Sequence, residues 1–352
     1  MNVERPDLNG VSQEVRAYIE ALEAELDHQR LAQDIDAEGA AGTASFEPAE
    51  PPTTINLITI SAGGRAKRTP RHLYSRQRRG GMGIFDLETT EDDPPTLLAL
   101  ADESQRLLLV TTLARAFRVS VRDLPESPVR SRGQSLIAQL PLQADEQIAL
   151  ALPDQGKGYI ALVSRHGHVR CLRHHYVGEN LRPGTNLYTP EFGPPAAACW
   201  TPGNSDLFIA TRQGRAIRFA EKQVPLQGCL GIRLEPEDVV VGIAAVHQDS
   251  GVLLVSTDGK GTIRLMSGFS PNKMPGGGGK TAMRSDCLIG AVTVDESDDF
   301  FIISRLSKII RSRAAEIPAK EDAVQGVNCM ALRADETVAV IASPPTPYSA
   351  LR

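Results

Sequence analysis

The chain has 352 residues, of which 41% are apolar and 23% are charged, and its formal net charge is −5. This composition suits a water-soluble protein with a substantial core. The longest apolar runs, such as Val239–Val246, are far too short to span a membrane, and the first ten residues lack a secretory signal pattern. Five cysteines without a C-x-x-C pair favour buried thiols over disulfides or zinc ligands. We therefore expect a cytoplasmic protein.

The charge is distributed unevenly along the chain. Residues 1–54 hold 12 of the 43 acidic residues and only 3 of the 38 basic ones. The remainder, residues 55–352, has 35 basic and 31 acidic residues, which is a net charge of +4. The acidity of the whole chain argues against a nucleic-acid binder, but the main domain alone is mildly basic.

The N-terminal part predicts one helix and a linker. Residues 12–35 form an amphipathic pattern, with Ser12 as a candidate cap and apolar residues spaced three and four apart. This stripe covers about two heptads, so a dimer contact through residues 12–35 and docking onto the main domain are equal alternatives. Residues 36–54 are rich in Ala, Gly, Pro and Thr and indicate a flexible linker, and residues 343–352 indicate a loose tail.

From residue 55 onward the chain repeats itself. Each unit has a short apolar strand, a turn near a small residue, and a second strand that ends in arginine. The repeated arginines are Arg68, Arg118, Arg170, Arg218, Arg264 and Arg311. A glycine follows each arginine by 13 to 15 residues, and these are Gly83, Gly133, Gly184, Gly231, Gly279 and Gly326. After it come another strand and an acid-rich turn. Six units with a period near 48 residues predict an all-β, propeller-like ring of six blades over residues 55–342.

The stretch MPGGGGKTAM, residues 274–283, tests this interpretation. Gly279, Lys280 and Thr281 match the end of a phosphate-binding loop, but Met274 stands where its first glycine is required. The residues that follow predict a strand, whereas a phosphate-binding loop opens a helix. We therefore interpret this stretch as the fifth unit's copy of the repeated glycine turn.

In the first unit the same turn reads QRRGGMG, Gln77–Gly83, which we call the box. Together with the six-fold repeat, it resembles the C-terminal domain of the bacterial DNA gyrase A subunit, whose signature is Q-[RK]-R-G-G-[RK]-G. The fourth and sixth units carry further similar stretches, GRAIRFAEKQVPLQGCLGIRL and AVQGVNCMALRADETVAV. The resemblance implies a six-bladed β-pinwheel whose blades exchange strands, which wraps duplex DNA around its rim, and in which the box is needed for wrapping.

The residues fit that implication physically. A bent duplex needs cations at regular intervals, and its phosphates are contacted without regard to sequence. The box adds hydrogen-bond donors, and its glycines permit close backbone approach. A repeated arginine can equally be a solvated or salt-bridged side chain. The predicted DNA contacts are Gln77, Arg78, Arg79, Gly80, Gly81, Gly83, Arg68, Arg118, Arg170, Arg218, Arg264, Lys280 and Arg311.

Three features depart from the family pattern. Met82 replaces a basic residue of the box. The acidic run Asp86–Asp93 follows it and is expected to place negative charge nearby. The third unit is rich in histidine, but neighbours on a strand face opposite ways, so we predict no metal site.

No catalytic arrangement is visible in the sequence. The gyrase cleavage tyrosine follows an arginine, whereas no tyrosine of this chain does, and too few residues precede Ile55 for a breakage–reunion region. We expect no enzymatic activity and no cofactor.

Two functions from different classes remain. The first is sequence-nonspecific DNA binding and wrapping at the nucleoid, alone or with a separate gyrase or topoisomerase subunit. The alternative is a protein-interaction scaffold, or a fragment of a split gyrase or topoisomerase IV A subunit, with weakened DNA binding. An acidic N-terminal segment that covers the rim is a further alternative.

Overall fold

Each of the six repeat units folds into three long antiparallel strands and one or two short ones, as described for residues 50–345 by a computed structural model. The strands of the first three units are β1 (Ile55–Ser61), β2 (Arg65–Pro70), β3 (Ile84–Phe85), β4 (Pro95–Asp102), β5 (Arg106–Thr111), β6 (Arg115–Ser120), β7 (Gln134–Ser135), β8 (Ile148–Pro153), β9 (Tyr159–Ser164), β10 (His168–Arg173), β11 (Thr185–Asn186) and β12 (Pro195–Thr201).

The last three units contain β13 (Asp206–Thr211), β14 (Arg215–Ala220), β15 (Cys229–Leu230), β16 (Val240–Val246), β17 (Gly251–Ser256), β18 (Lys260–Leu265), β19 (Lys280–Thr281), β20 (Leu288–Val294), β21 (Asp299–Ser304), β22 (Lys308–Arg313), β23 (Ala319–Lys320), β24 (Val327–Asn328) and β25 (Thr337–Ser343). The helical segments are 3₁₀ turns at Arg71–Leu73, Val121–Asp123, Ile137–Gln139, His174–Tyr176, Pro190–Phe192, Glu221–Gln223, Met266–Gly268 and Ala314–Glu316.

The first two long strands of each unit form a hairpin. A buried serine or threonine ends the first strand, and three residues later the chain takes a positive φ. Glycine holds that turn in four units, while Ala114 (φ 58°) and Ser307 (φ 64°) adopt the same left-handed conformation in the second and sixth. The third long strand pairs back onto the first, with a register shift near the hairpin end. Each unit therefore supplies a three-stranded antiparallel sheet.

The fourth strand of every blade comes from the next unit. The sheet orders, from the inner to the outer strand, are β4-β1-β2-β7, β8-β5-β6-β11, β12-β9-β10-β15, β16-β13-β14-β19, β20-β17-β18 with β24 and β23, and β25-β21-β22-β3. The sixth blade receives β3 from the first unit, because Ile84 pairs with Ile309 and Phe85 with Lys308. This exchange confirms the six-bladed pinwheel, and it closes the ring.

The innermost strands β4, β8, β12, β16, β20 and β25 lie side by side around the axis, and β25 contacts β4. They line a largely apolar central cavity of about 510 Å³, with walls that include Leu97, Ala197 and Val338. We call the contact between two neighbouring blades a seam. Apolar side chains fill most seams, as Ile58, Leu109, Phe117 and Leu136 do between blades one and two.

The predicted helix 12–35 and residues 36–49 of the predicted linker lie outside the described residues. The first strand begins at Ile55 and the last ends at Ser343, which is the first residue of the predicted tail. Among residues 50–345, no helix is long and apolar enough to cross a membrane.

Candidate nucleic-acid interface

The box lies in the seam between blades six and one, which we call the closing seam. The Gln77 amide donates to the Arg311 carbonyl (2.8 Å), and the Gly80 amide donates to the Cys329 carbonyl (2.8 Å). The Arg79 amide donates to the Glu316 carboxylate (2.8 Å), and its guanidinium donates to the Asn328 carbonyl (3.2 Å). The backbone of the first unit's box is therefore bonded to the sixth unit at several points.

Two box glycines are explained by this packing. Gly83 has a φ of 70°, and a Cβ there would lie 2.6 Å from the carbonyl oxygen of Ile309. A Cβ on Gly81 would lie 2.8 Å from Oε1 of Gln77. The backbone carbonyl at Gly83 cannot move aside, so glycine is required there, whereas the flexible Gln77 side chain could yield to a Cβ on Gly81. Gly80 is more open, since its nearest neighbours would lie 3.6 Å from a Cβ.

The two box arginines differ in their surroundings. Arg79 is half-buried and bound to the sixth unit as described, whereas Arg78 is exposed. Within residues 50–345, no acceptor engages the Arg78 guanidinium. Arg76, just before the box, donates to both oxygens of the Asp299 carboxylate (3.0 and 2.9 Å). Arg78 is thus the box cation best placed to meet a ligand from solvent.

The acidic run after the box is divided by the fold. Asp86 is fully buried and lies 2.7 Å from the ammonium of Lys67, whose side chain is also fully buried. Burial, the largest effect, lowers the pKa of Lys67, and the Asp86 carboxylate only partly offsets it. The expectation that Asp86 places negative charge beside the box is therefore wrong for this residue. Glu88, Glu91 and Asp92 are exposed.

The repeated arginines have mostly interior positions. Arg68, Arg218, Arg264 and Arg311 are between 3% and 8% exposed, and Arg118 and Arg170 are partly buried. Arg311 illustrates the pattern, since its guanidinium bonds the Asp299 carboxylate (2.7 Å) and the carbonyls of Arg71 (3.2 Å) and Tyr74 (3.1 Å). These acceptors leave little of the guanidinium for a phosphate.

Five of the six arginines bind the loop that the next unit contributes. Arg68 donates to the Leu124 carbonyl (2.9 Å) and Arg170 to that of Leu226 (3.0 Å). The guanidinium groups of Arg218, Arg264 and Arg311 likewise donate to backbone carbonyls of the loop from the next unit. Arg118 instead pairs with Asp154. Their surroundings favour a structural role, in which each arginine holds an exchanged loop in place, and their predicted DNA contacts stay untested.

The structure also shows that the arginine repeat is less regular than its spacing suggested. Counted from the serine or threonine that ends the first strand of the hairpin, four arginines occupy the same position. Arg170 stands one residue earlier and Arg264 one residue later. The spacing could not reveal this, because the shift depends on the hairpin register.

Lys280 lies in β19, the outer strand of the fourth blade, so no helix follows the glycines of the fifth unit. Its ammonium donates to the Ser270 carbonyl (2.9 Å) and lies 5.1 Å from the Phe269 ring centroid. The side chain remains exposed. It is therefore a surface cation of the outer edge.

Charge separates along five of the six exchanged loops, and the exception is the sixth, where Lys320 is outnumbered by Glu321 and Asp322. We call the part up to and including the outer strand the rim segment, and its ranges are 71–85, 121–135, 174–186, 221–230, 266–281 and 314–328. We call the rest the return turn, and its ranges are 86–94, 136–147, 187–194, 231–239, 282–287 and 329–336.

The exposed cations of the rim segments are Arg76, Arg78, Arg122, Arg130, Arg132, Arg182, Lys222, Lys273, Lys280 and Lys320, and their exposed acids are Asp123, Glu126, Glu179, Glu321 and Asp322. The return turns reverse this ratio, with exposed acids Glu88, Glu91, Asp92, Asp145, Glu191, Glu235, Glu237, Asp286 and Glu336 and exposed cations Arg233, Arg284 and Arg333. The outer edge is therefore cationic, and the loops that cross back to the inner strands are acidic.

Several return-turn acids cap the hairpins. Asp93, Asp238 and Asp335 accept hydrogen bonds from backbone amides of hairpin turns, at 2.6, 3.1 and 3.1 Å. Glu146 accepts from the Arg115 guanidinium (2.5 Å) and the Gln143 amide (2.7 Å). Desolvation raises the pKa of Glu146, but these bonds and one from Thr111 outweigh it and hold the pKa below its usual value.

The histidines and cysteines form no metal centre within residues 50–345, where no three His, Cys, Asp or Glu side chains converge on one point. His174 pairs with Asp154 (2.6 Å), and His168 stacks on Phe192. Burial raises the pKa of Cys171 to about 12, as expected for an inert thiol.

The sequence reasoning missed the rim cations other than Arg78 and Lys280, and it missed the Lys67–Asp86 pair. A signal for the pair existed. In three other units the residue at the Lys67 position is apolar, and no other unit has an acid at the Asp86 position.

The chain matches known proteins over most of this ring. A family model described as "DNA gyrase C-terminal domain, beta-propeller" matches residues 56–93, 105–153, 205–247 and 298–343. The chain is 28% identical over 305 residues to the DNA gyrase A subunit of Mycobacterium leprae, covering 81% of this chain and 24% of that protein. It is 27% identical over 304 residues to the Escherichia coli counterpart, covering 80% of this chain and 34% of that protein.

Solved structures agree on the fold. The C-terminal domain of DNA gyrase A matches with a TM-score of 0.72 and 18% identity, covering 82% of this chain and 99% of that one. The C-terminal domain of DNA topoisomerase IV matches with a TM-score of 0.58 and 19% identity, covering 83% and 94%. The chain spans about a quarter to a third of the length of the curated relatives. It belongs to the DNA gyrase C-terminal domain family of β-propellers.

Proposed function

We propose that this protein binds duplex DNA without sequence preference along its cationic rim segments and bends the duplex around the ring. The separation of charge along five of the six exchanged loops is the observation that supports this most. Exposed cations outnumber exposed acids two to one on the outer edge, whereas acids dominate the return turns. A duplex that follows the outer edge meets at least one exposed cation from every unit. Two of these cations, Arg130 and Arg132, pair with the return-turn acid Glu88.

Within this proposal the box residue Arg78 is a direct phosphate contact, because it is exposed and unpaired within residues 50–345. Lys280 acts in the same way. The repeated arginines act indirectly, since they hold the loops that carry the cations. Gln77, Gly80, Gly81 and Gly83 shape the box backbone.

The chain contributes no DNA cleavage in this proposal. It acts on DNA topology through the bend alone, either by itself or beside a gyrase or topoisomerase partner, as the names of its relatives suggest. A protein that binds DNA in this way would be found with the nucleoid. Copurification with the catalytic part of a topoisomerase would test the partner.

Two triple variants with the same change in charge test the binding surface. Arg78→Ala/Arg182→Ala/Lys273→Ala removes rim cations, and Arg233→Ala/Arg284→Ala/Arg333→Ala removes the exposed return-turn cations. Binding to a duplex of about 150 base pairs, one persistence length, is measured by fluorescence anisotropy over a salt series. If each lost cation frees one phosphate contact, the rim variant should lower the slope of log K against log salt by about 2 to 3.

The rim variant should also weaken binding by roughly tenfold or more near 0.15 M salt, while the return-turn variant should change it by less than about twofold. Equal losses in the two variants would show that only net charge matters, and the rim assignment would be wrong. If the parent protein does not bind the duplex at any salt concentration, the scaffold alternative is favoured.

A further inference from the structure

The closing seam poses a problem of register that the other seams do not. The outer strand of each blade is only two residues long, so the strand itself supplies few backbone bonds that fix its register. In five seams the strand and its acceptor belong to consecutive units, which limits where the strand can reach. In the closing seam, Ile84 pairs with Ile309, more than 200 residues away. Chain connectivity therefore does little to select this register.

A buried polar cluster lies directly beside this strand. Asp86 follows β3 immediately, and its amide donates to the Ser307 carbonyl of the sixth blade (2.9 Å). Its carboxylate accepts from Lys67 (2.7 Å), Thr59 (2.6 Å) and Tyr74 (2.6 Å). Thr59, Lys67 and Asp86 are 0% exposed. The cluster thus joins the end of β3 to the first two strands of the first blade.

At the equivalent positions, all within residues 50–345, the other five seams have no such cluster. Counted from the residue that ends each first strand, the counterparts of Thr59 are Leu109, Leu162, Ile209, Leu254 and Ile302, and those of Lys67 are Phe117, Arg170, Ile217, Thr262 and Ile310. The residues whose amides bond the equivalent turn, as Asp86 does, are Leu136, Leu187, Ile232, Ala282 and Cys329. No other seam pairs an acid with a base at these positions.

The cluster penalises a shift of β3. If the strand slipped by one residue, Phe85 or Leu87 would take the place of Asp86, and Lys67 would be buried without a counter-charge. An unpaired buried charge is strongly unfavourable. An apolar seam discriminates less, because another apolar residue can fill the same space. Buried polar pairs are best known for specifying register in this way.

We propose that Thr59, Lys67 and Asp86 are positioning residues that fix the register of β3 in the sixth blade and thereby hold the box, Gln77–Gly83, in the closing seam. The expected effect on DNA binding rests on the function proposed above. The expected effect on the register of β3 is independent of that function.

Cysteine pairs measure the register directly. Ile84→Cys/Ile309→Cys places two thiols on directly opposed residues, whereas Phe85→Cys/Ile309→Cys places them on opposite faces, where no disulfide can form unless β3 slips. Mild oxidation followed by peptide mass spectrometry identifies each bridge despite the native cysteines. In the parent background we expect only the 84–309 bridge.

Each cysteine pair is then introduced into a triple variant, Thr59→Leu/Lys67→Phe/Asp86→Leu. The three new side chains are those found at the equivalent positions of the seam between blades one and two. This variant should fold, because the same trio already packs in that seam, but with a lower melting temperature, because the buried Tyr74 hydroxyl loses its acceptor. We expect the 85–309 bridge to appear beside the 84–309 bridge. A folded triple variant that forms only the 84–309 bridge would overturn the proposal. If the triple variant does not fold, Lys67→Met/Asp86→Asn removes both buried charges with little change in shape, and the same two outcomes apply.

DNA binding provides the second arm. The folded triple variant should bind a linear duplex less tightly than the parent by about the factor seen for Arg78→Ala alone, because the box loses its fixed position. A slipped strand with unchanged DNA binding would remove the link to the box. A parent that does not bind DNA would instead contradict the proposed function and leave the register result standing.

Discussion

The closing seam and the seam between blades one and two perform the same task with different chemistry. In the seam between blades one and two, the chain passes directly from one blade to the next, and Leu109, Phe117 and Leu136 fill the interface. In the closing seam the two blades belong to opposite ends of the repeat region, and Lys67 pairs with Asp86 in the equivalent place. Arg71, which is 1% exposed, adds bonds to Ser343 (2.9 Å) and the Pro344 carbonyl (2.6 Å).

This difference shows what apolar packing leaves undetermined. Burial of apolar side chains stabilises any close approach of two blades, but it has no direction. Hydrogen bonds and ion pairs require particular atoms at particular distances. Arginine hydrogen bonds hold the exchanged loop in most seams, and the closing seam adds a buried ion pair where the equivalent residues of the connected seams are mostly apolar.

Removing one partner of the buried pair should have the largest effect. Asp86→Ala leaves the Lys67 ammonium buried without its carboxylate, and we expect a loss of about 3–5 kcal/mol in the free energy of unfolding. Urea unfolding measures it. The control is Leu136→Ala, the counterpart in the connected seam, with an expected loss of about 2–5 kcal/mol. A double variant, Asp86→Ala/Lys67→Met, removes the unpaired ammonium as well. We expect its free energy of unfolding to exceed that of Asp86→Ala alone. A double variant as unstable as Asp86→Ala alone would show that the unpaired Lys67 ammonium does not cause the loss.

The repeated arginine of the closing seam comes next. Arg311→Met leaves the buried Asp299 carboxylate and two loop carbonyls without their donor, so we expect a loss of about 2–4 kcal/mol. Arg78→Met, at an exposed site, should change stability by less than about 0.5 kcal/mol. Thermal and urea unfolding of both variants separates a structural from a surface arginine. A stable Arg311→Met variant with weakened DNA binding would restore the phosphate contact predicted from the repeat.

A smaller effect is expected at the box backbone. Gly83→Ala forces a Cβ toward the Ile309 carbonyl at positive φ, and we expect a loss of about 1–3 kcal/mol. Gly156, at φ 73°, has no atom within 4 Å of a Cβ, so Gly156→Ala tests the backbone strain alone, with an expected loss of about 1 kcal/mol. Equal losses would mean that the close contact in the closing seam adds nothing.

The smallest effect concerns acid sensitivity in the second unit. The pKa of Glu146 is held below its ordinary value of 4.5, so the unfolded chain takes up a proton there first as the pH falls. The stabilisation is present above pH 4.5 and is lost below it. Glu146→Gln should therefore be less stable than the parent at pH 7 and approach it near pH 3, as measured by melting temperature. The control is Glu296→Gln, which makes the same change of charge at an exposed site.

The sequence predicted the ring well for a physical reason. The apolar strands and the glycine turns recur in every unit, and a repeat of this kind has few ways to bury its strands. The exchange of outer strands followed from the family resemblance. It was not visible in Gln134–Ser135 or Ile84–Phe85, because a two-residue strand has no periodicity of its own.

The candidate site was predicted less completely. Arginine at a strand end looks the same in sequence whether it meets solvent or a carbonyl, and Arg218 and Arg311 turned out to be buried. Asp86 appeared to belong to an acidic surface run, and only its partner Lys67, in a different strand, shows otherwise. Burial and partners depend on tertiary contacts. The separation of cations and acids along the loops likewise became visible only once the outer strands were located.

One measurement tests the central claim, that the rim segments bend DNA around the ring, most directly. The protein is mixed with nicked circular plasmid, the nick is ligated, the protein is removed, and the linking number is compared with a protein-free control. We expect a shift that grows with protein concentration, persists in Arg233→Ala/Arg284→Ala/Arg333→Ala and is lost in Arg78→Ala/Arg182→Ala/Lys273→Ala. A parent protein that binds the plasmid without any shift, or two triple variants that shift it equally, would contradict the account.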